Sequence, residues 1–215
     1  MIGLLRDFAK KLLTLENVDF KAVELDQEKI NFLFKTYPSI NGKIIAANFL
    51  DIPAPFEGTF NVIGNFPYNI STQILFKVLD WKDQVPVVIG MFQKEVAERA
   101  ASPSGSKVYG VLSVLIQAYY DVEYLFDVPA EAFNPPPKVT SGVIRLTRRN
   151  DTLNYRSEKD FRRLVKAAFQ QRRKTLRNAL RAFFLPESLI DPVFDRRAET
   201  LTLEEFAALT HKMSS

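Results

Sequence analysis

The sequence predicts an α/β fold, with a sheet domain over residues 1–149 and a small all-helical domain over residues 150–215. Three observations predict it. Short apolar runs of strand length alternate with segments of helical periodicity up to residue 149, which is typical of a mostly parallel α/β sheet. The polar stretch 150–154 interrupts this alternation, and the spacing beyond it is helical. At 215 residues and 47% hydrophobic composition, the chain can bury a core in a large and a small domain.

The elements of the sheet domain follow from apolar spacing and from Pro and Gly positions. Ser71 or Thr72 is available to cap the third helix, and the three prolines of the segment Phe133 to Val139 predict a loop. Helices are predicted over 4–15, 27–37, 71–79, 94–101 and 111–119, and strands over 20–24, 43–46, 60–63, 85–92, 122–128 and 143–146.

In the C-terminal domain, apolar spacing predicts three helices, over residues 161–169, 175–184 and 203–212. Thr202 is placed to cap the last of them.

Composition excludes several kinds of chemistry. The chain has no Cys and a single histidine, His211, so thiolate metal sites, Cys nucleophiles, His-based catalysis and His-rich metal sites are not expected. No apolar run reaches the roughly eighteen residues that a membrane span needs, and the first residues do not have the layout of a signal peptide. We therefore expect a cytoplasmic protein without a membrane partner and without a metal.

The positive charge is local. Between Arg156 and Arg181 there are ten basic residues and two acidic ones, so this segment carries +8 although the net charge of the chain is +4. Residues 173, 177 and 181 share one face by i, i+4 spacing if the segment is helical, and like charges so aligned favour a phosphate partner. Arg172 and Lys174 fall off this face and are expected to contact the sheet domain or an acidic neighbour such as Glu199. A solvated basic face is the alternative.

The run Asn65-Phe66-Pro67-Tyr68 directly follows a predicted strand. It places an amide and an aromatic face at the strand end, which suits chemistry on an amino group attached to a planar ring. The Asn65 side-chain oxygen and a backbone carbonyl near Pro67 would each accept one hydrogen of an adenine N6, and Tyr68 would stack on the base. An ordinary turn after a strand is the competing interpretation, because Asn and Pro also favour turns.

Two further polar residues follow predicted strands. Ligands of open α/β sheets bind at the carboxyl ends of strands, where an acidic residue such as Glu24 commonly binds ribose hydroxyls. Asn48 offers a donor and an acceptor to an adenine edge. For both Glu24 and Asn48, the alternative is a solvated charge or a turn residue without a ligand. A nucleotide site of this kind needs a Gly-rich loop after the first strand, and the only candidate glycine upstream is Gly3.

Four segments together resemble the KsgA family of bacterial small-subunit rRNA adenine dimethyltransferases. They are Asn65 to Thr72, Phe133 to Val139, Phe169 to Leu180 and Arg197 to Leu201, and the similarity covers essentially the whole chain. The first is shared with Erm-type rRNA methyltransferases, whereas the third is much more specific to the KsgA family. The resemblance implies a Rossmann-like class I methyltransferase sheet, S-adenosyl-L-methionine as methyl donor, and dimethylation of N6 of two adjacent adenosines near the 3′ end of small-subunit (16S) rRNA.

The resemblance also implies roles for single residues. In the catalytic set, Asn65 and Pro67 would polarise the target N6, and Tyr68 and Phe133 would stack on the base. On the donor side, Glu24 would hold the ribose, Asn48 would contact the adenine in place of the usual Asp, and Gly3 would match the last loop glycine. The implied sets are catalytic Asn65, Phe66, Pro67, Tyr68 and Phe133; cofactor-binding Gly3, Glu24, Asn48 and Asn65; and RNA-binding Lys138, Arg172, Arg173, Lys174, Arg177 and Arg181.

The upstream segment and full Gly-rich loop of the family have no counterpart in this sequence, so the sheet domain is expected to be N-terminally truncated. The expected partner is small-subunit rRNA in an immature 30S-type particle, bound by a monomer. Two other functions stay open. One is Erm-like methylation of large-subunit rRNA, and the other is a noncatalytic rRNA-binding role in assembly.

Overall fold

The computed structural model describes the backbone of residues 2–214 and the side chains of residues 8–214. The strands are β1 (Ala22–Glu24), β2 (Ile44–Ala46), β3 (Val62–Asn65), β4 (Val87–Gln93), β5 (Tyr120–Val128) and β6 (Ser141–Arg148). The α-helices are α1 (Ile2–Leu13), α2 (Gln27–Thr36), α3 (Ser71–Asp80), α4 (Lys94–Ala101), α5 (Val111–Gln117), α6 (Glu158–Gln170), α7 (Leu176–Ala179) and α8 (Leu203–Thr210).

The described strands form two sheets. β1 and β2 form a parallel pair, and the larger sheet has the order β3, β4, β6, β5. Within the larger sheet only β3 and β4 are parallel, because β6 pairs antiparallel with both β4 and β5. The expectation of a mostly parallel sheet is therefore wrong for the larger sheet. β5 and β6 are joined by a loop without an α-helix, and a parallel pairing needs a longer crossover connection.

Two glycines determine how the centre of the larger sheet packs. Gly64 on β3 and Gly90 on β4 lie opposite each other in the parallel register. A Cβ added at Gly90 would lie 2.5 Å from the Phe92 ring and 2.7 Å from the Phe66 ring, and one at Gly64 would lie 2.9 Å from Phe66. The missing side chains thus make room for Phe66 and Phe92, which stack with ring centroids 5.0 Å apart.

Two of the three helices predicted for the C-terminal region are present in the structure. α6 begins at the N-cap Ser157, and α8 begins with a capping box in which Thr202 and Glu205 satisfy each other's backbone N–H groups. The predicted helix over 175–184 is wrong as a continuous helix. It consists of the single turn of α7 and a 3-10 turn, Arg181–Phe183, after which Phe184 is extended. The backbone leaves α-helical geometry at Leu180, whose side chain is fully buried, so the break precedes Pro186.

The buried residues of the larger sheet and of the C-terminal helices form one hydrophobic cluster, which reaches from Ile52 to Met213. A smaller cluster under α1 and α2 contains Ala9, Phe20, Leu33 and Ile40. The division into residues 1–149 and 150–215 stays a prediction. None of the helices in the described part of the chain is long and apolar enough to cross a membrane.

Candidate active site

Asn65 is the last residue of β3, opposite Met91 of β4. The next residue, Phe66, still donates its N–H to the Met91 carbonyl over 3.2 Å, so the strand is fixed up to this point. Side chains alternate along a strand, and the rings around Gly64 mark the core face. Asn65 therefore lies on the opposite face, at the carboxyl end of β3, where ligands of open sheets bind.

Phe66 anchors this strand end. Its ring is buried, stacks on Phe92 and lies 6.2 Å from the ring of Phe49. The side chain of Phe66 thus points into the core and contributes packing, while its backbone stays at the strand end beside Asn65.

The Pro67 carbonyl is already engaged. It accepts the hydroxyl of Ser71 at 3.1 Å and the N–H of Ile70 at 3.3 Å. The expected capping role of Ser71 or Thr72 is wrong, because Ile70 is the N-cap of α3 and Ser71 donates backwards to this carbonyl. Within the described residues no donor is hydrogen bonded to the carbonyl of Phe66. The free acceptor closest to Pro67 is therefore the Phe66 carbonyl.

Tyr68 is held by a partner that the sequence did not indicate. Its hydroxyl is hydrogen bonded to the hydroxyl of Ser141, which is fully buried at the first position of β6. Ser141 pairs with Gln93 and with Val128, so the Tyr68 ring is fixed where β4 and β5 end and β6 begins. The two residues are 73 positions apart, and no local pattern marks a serine at a strand start as a tyrosine anchor.

Phe133 lies in the loop before β6 and lines a cavity of about 330 Å³ on the face of the sheet that Asn65 shares. The cavity is mostly apolar, and its lining includes Ile63, Gly64, Met91 and Val143. In the described part of the chain the rings of Tyr68 and Phe133 do not contact each other, and neither Asn65 nor Tyr68 lines the cavity itself. The structure places both aromatics around one edge of the sheet.

Glu24 is the last residue of β1, and one of its carboxylate oxygens is hydrogen bonded to backbone N–H groups. Oε1 accepts the N–H groups of Leu25 and Asp26, each at 2.9 Å, and lies 3.7 Å from the Lys29 ammonium. These bonds fix the orientation of the carboxylate, while Oε2 has no hydrogen-bond partner in the described residues. The group is thus oriented and has one oxygen available for a hydroxyl ligand.

The side chain of Asn48 forms hydrogen bonds within the turn that follows β2. Its amide nitrogen donates to Asp51 at 2.9 Å, and its amide oxygen accepts the Leu50 N–H at 3.2 Å. This is the turn arrangement that competed with ligand binding in the sequence. One amide hydrogen and one lone pair of Asn48 are left for any ligand.

Backbone and ring contacts connect Glu24 and Asn48 with the Asn65 strand. The Ala47 N–H donates to the Glu24 carbonyl at 3.2 Å, which ties the two strand ends together. Phe49, next to Asn48, lies against Phe66. The remaining donor-side residue, Gly3, belongs to α1, and its surroundings lie outside the part of the chain whose side chains are described.

An ion pair that the sequence did not indicate lies at the same edge of the sheet. Lys94, the first residue of α4, contacts Asp127 near the end of β5 at 2.6 Å, and Tyr124 donates its hydroxyl to the same carboxylate. Lys94, followed by Tyr124, lowers the pKa of Asp127, and Asp127 raises the pKa of Lys94. The pair holds the ends of β4 and β5 together. Within the described residues there is no group of three His, Cys, Asp or Glu side chains arranged to hold a metal.

The basic segment is arranged differently from the prediction. Arg177 donates to both Asp195 and the Leu189 carbonyl, so its guanidinium is an internal cross-link. Arg173 precedes α7, and Arg181 lies in the following 3-10 turn, so the shared helical face of 173, 177 and 181 is wrong. Of the contacts expected for Arg172 and Lys174, the one of Arg172 with the sheet region is found, because Arg172 donates to the Lys107 carbonyl, whereas the Lys174 side chain has no hydrogen bond or ion pair among the described residues. The other predicted RNA-binding side chains, Lys138, Arg173, Lys174 and Arg181, are exposed.

Structural similarity defines the class of protein first. The fold matches a dimethyladenosine transferase from Plasmodium falciparum with a TM-score of 0.72 at 20% identity, covering 86% of this chain and 78% of that one. It matches the 23S rRNA methyltransferase ErmE with a TM-score of 0.65 at 19% identity, covering 91% and 82%. The chain therefore has a Rossmann-like methyltransferase fold with a helical C-terminal region.

Sequence similarity then gives the family. The model of the ribosomal RNA adenine dimethylase family matches residues 7–208. Ribosomal RNA small subunit methyltransferase A of Cytophaga hutchinsonii is 53% identical over 197 residues, which cover 90% of this chain and 76% of that protein. The protein of the same name from Flavobacterium johnsoniae is 50% identical over 209 residues, covering 95% and 80%. The chain belongs to the ribosomal RNA adenine dimethylase family.

Proposed function

We propose that the chain transfers methyl groups from S-adenosyl-L-methionine to N6 of two adjacent adenosines near the 3′ end of small-subunit rRNA. The observation that supports this most is the arrangement at the end of β3. There Asn65 ends the strand, with its side chain on the sheet face opposite to the core, and a buried serine is hydrogen bonded to Tyr68. The relatives with about half of their residues identical are small-subunit rRNA methyltransferases.

Methyl transfer to an exocyclic amine requires that the nitrogen lone pair be withdrawn from the ring. Two acceptors, one for each N6 hydrogen, favour the pyramidal nitrogen that can attack a methyl group. We assign these roles to the Asn65 side-chain oxygen and to the Phe66 carbonyl, because the Pro67 carbonyl already accepts two hydrogen bonds. After transfer, the alkylated nitrogen loses its proton to water, so no side chain has to act as the base.

The target base needs a surface that replaces its stacked neighbours. Extruding a base costs a few kcal/mol, and stacking on an aromatic side chain returns about 1–3 kcal/mol. Tyr68 and Phe133 supply two such surfaces at the same edge of the sheet. We propose that the target base enters between these two rings.

The residues on the donor side fit S-adenosyl-L-methionine in part. The donor supplies a methyl group on a sulfonium, and Glu24 offers an oriented carboxylate with one free oxygen to its ribose hydroxyls. Asn48 offers its remaining amide hydrogen to the adenine. We assign Gly3 to this side only by its place in the sequence. No metal takes part in the proposed reaction.

The proposed partner is rRNA in an immature 30S-type particle, bound by a monomer in the cytoplasm. Lys138, Arg172, Arg173, Lys174 and Arg181 are proposed to contact phosphates, since such contacts supply much of the affinity for RNA. We propose that Arg177 stabilises the fold and does not contact RNA, because its guanidinium is hydrogen bonded to Asp195 and to the Leu189 carbonyl.

A decisive experiment incubates the 215-residue chain with labelled S-adenosyl-L-methionine and either immature small subunits or large subunits. Nucleosides are then separated and dimethyladenosine is quantified. We expect label in dimethyladenosine from small subunits only. Label in large subunits would indicate an Erm-like enzyme, and RNA binding without label would indicate a noncatalytic assembly factor. Either result would contradict the proposal.

A further inference from the structure

A second groove lies away from the candidate active site, between α5, α6 and the 3-10 turn Arg181–Phe183. It has a volume of about 540 Å³ and shares no residue with the cavity beside Phe133. Its walls combine cationic, amide and apolar side chains without a carboxylate, and include Val111, Arg163, Lys166, Phe169, Gln170 and Phe183.

The cations of this groove continue along one face of α6. Lys159, Arg163 and Lys166 are all exposed and spaced i, i+4, i+7, which places them on one stripe of the helix. In the described part of the chain none of the three forms an ion pair. Among the described residues the stripe is therefore a run of positive charge without an ion-pair partner.

The acidic residues of α6 are engaged elsewhere. Glu158 is paired with Lys82 and Arg162, and Asp160 is paired with Arg156. Asp160 also interacts electrostatically with Arg163, but neither carboxylate forms an ion pair with Lys159, Arg163 or Lys166.

The floor of the groove suits a base. The Arg163 guanidinium lies 4.8 Å from the centroid of the Phe183 ring, and Phe169 lines the same groove. Aromatic rings and guanidinium planes are the surfaces on which unstacked RNA bases lie. The carboxylates of an acidic protein segment would pair with the cations but would not stack on the aromatic rings or on the guanidinium plane.

We infer that this groove binds a single-stranded segment of RNA, whose phosphates lie along Lys159, Arg163 and Lys166. The three residues span ~10 Å of helix, enough for roughly two or three phosphates. The inference rests on the proposed function, because it takes RNA as the partner, and it adds a contact region separate from the predicted RNA-binding residues.

The test replaces Lys159, Arg163 and Lys166 together by Gln. The matched control replaces Lys10, Lys11 and Lys35, which are exposed lysines on α1 and α2, so both variants change the net charge equally, from +4 to +1. Binding of a labelled single-stranded fragment from the 3′ end of small-subunit rRNA is measured at several salt concentrations. Each lost phosphate contact lowers the slope of log affinity against log salt by about 0.7. We therefore expect a slope smaller by about two for the groove variant, and a nearly unchanged slope for the control.

Equal slopes for the groove variant and the control would overturn the inference, whatever else binds in the groove. Circular dichroism confirms that both variants are folded. Single-turnover methyl transfer at saturating RNA separates this inference from the proposed function. If the wild-type chain binds RNA with a groove-dependent slope but transfers no methyl group, only the proposed function fails. If methyl transfer occurs and the slopes are equal, only the groove inference fails.

Discussion

At the residue scale, the proposed chemistry depends on the amide of Asn65. Its side chain is presented by a strand end that the buried Phe66 ring fixes, so truncation removes an acceptor without disturbing the core. We expect Asn65→Ala to lower the rate of methyl transfer at least about 100-fold, as the loss of one well-placed polar group does in other enzymes.

Asn69→Ala is the control for Asn65, since Asn69 is exposed in the adjacent 3-10 turn. RNA affinity, measured by filter binding, is expected to stay within about twofold for both variants, because the main RNA affinity comes from phosphate contacts. An Asn65→Ala variant with normal single-turnover rates would remove Asn65 from the mechanism.

Ser141 is a positioning residue, because it acts through Tyr68. Ser141→Ala leaves the Tyr68 hydroxyl without its partner, and a net hydrogen bond is worth about 1 kcal/mol. We expect kcat/KM for RNA to fall roughly fivefold, with the affinity for S-adenosyl-L-methionine unchanged. Tyr68→Phe is expected to lose a similar amount, and the double variant no more than either single variant. Additive losses would show that the two hydroxyls act independently.

At the scale of elements, the position of Asn65 depends on the two facing glycines within β3 and β4, Gly64 and Gly90. An alanine Cβ at Gly90 would lie too close to the rings of Phe66 and Phe92, both of which are well packed. We expect Gly90→Ala to lower the free energy of unfolding by about 1–3 kcal/mol, measured in urea, and to lower activity because Phe66 shifts. In the control, Gly58→Ala, the new methyl group has nothing within 4 Å. Equal stability of the two variants would contradict this account.

The elements were predictable wherever the local pattern and the tertiary packing agree. Lys94–Ala101 has the predicted bounds, and Thr202 caps α8, because both follow from periodicity and capping chemistry. The break in the helix predicted over 175–184 was not predictable from periodicity, because it falls at Leu180, which is buried in the tertiary core.

The same limit applies to the candidate site. The motif from Asn65 to Tyr68 is local in sequence, and its place at the end of a strand was predicted. Ser141 and the pairing of Lys94 with Asp127 join residues far apart in the chain, and only the antiparallel return of β6 brings them to this edge. The inward turn of Arg177 towards Asp195 is a tertiary contact that charge spacing could not show.

At the scale of the whole molecule, an ion pair joins the sheet region to the helical region. Lys82, just after α3, contacts Glu158 at the start of α6 at 3.1 Å. Burial by itself would raise the pKa of Glu158, but Lys82 and Arg162 together hold it below its usual value of 4.5. Because this pKa is lowered in the folded state, the stabilisation is present above about pH 4.5 and is lost as the pH falls through the folded-state pKa.

We therefore expect Glu158→Gln to reduce the loss of stability between pH 5 and about pH 3, measured by urea unfolding at each pH. Glu187→Gln is the control, since Glu187 is exposed and has no ion pair among the described residues. Identical pH profiles for the two variants would show that the contact of Lys82 with Glu158 contributes nothing to stability.

The continuous core predicts how the whole chain unfolds. Buried side chains from the larger sheet and from α6 and α8 belong to one cluster, so neither region can open without exposing the apolar surface of the other. Trp81 is the single tryptophan and is buried beside Phe49 in the sheet region, whereas far-ultraviolet circular dichroism also reports the C-terminal helices. We expect both signals to change in one coincident transition with urea. A separate, earlier loss of helical signal would show that residues 150–215 unfold on their own, and that the shared core contributes little to coupling the two regions.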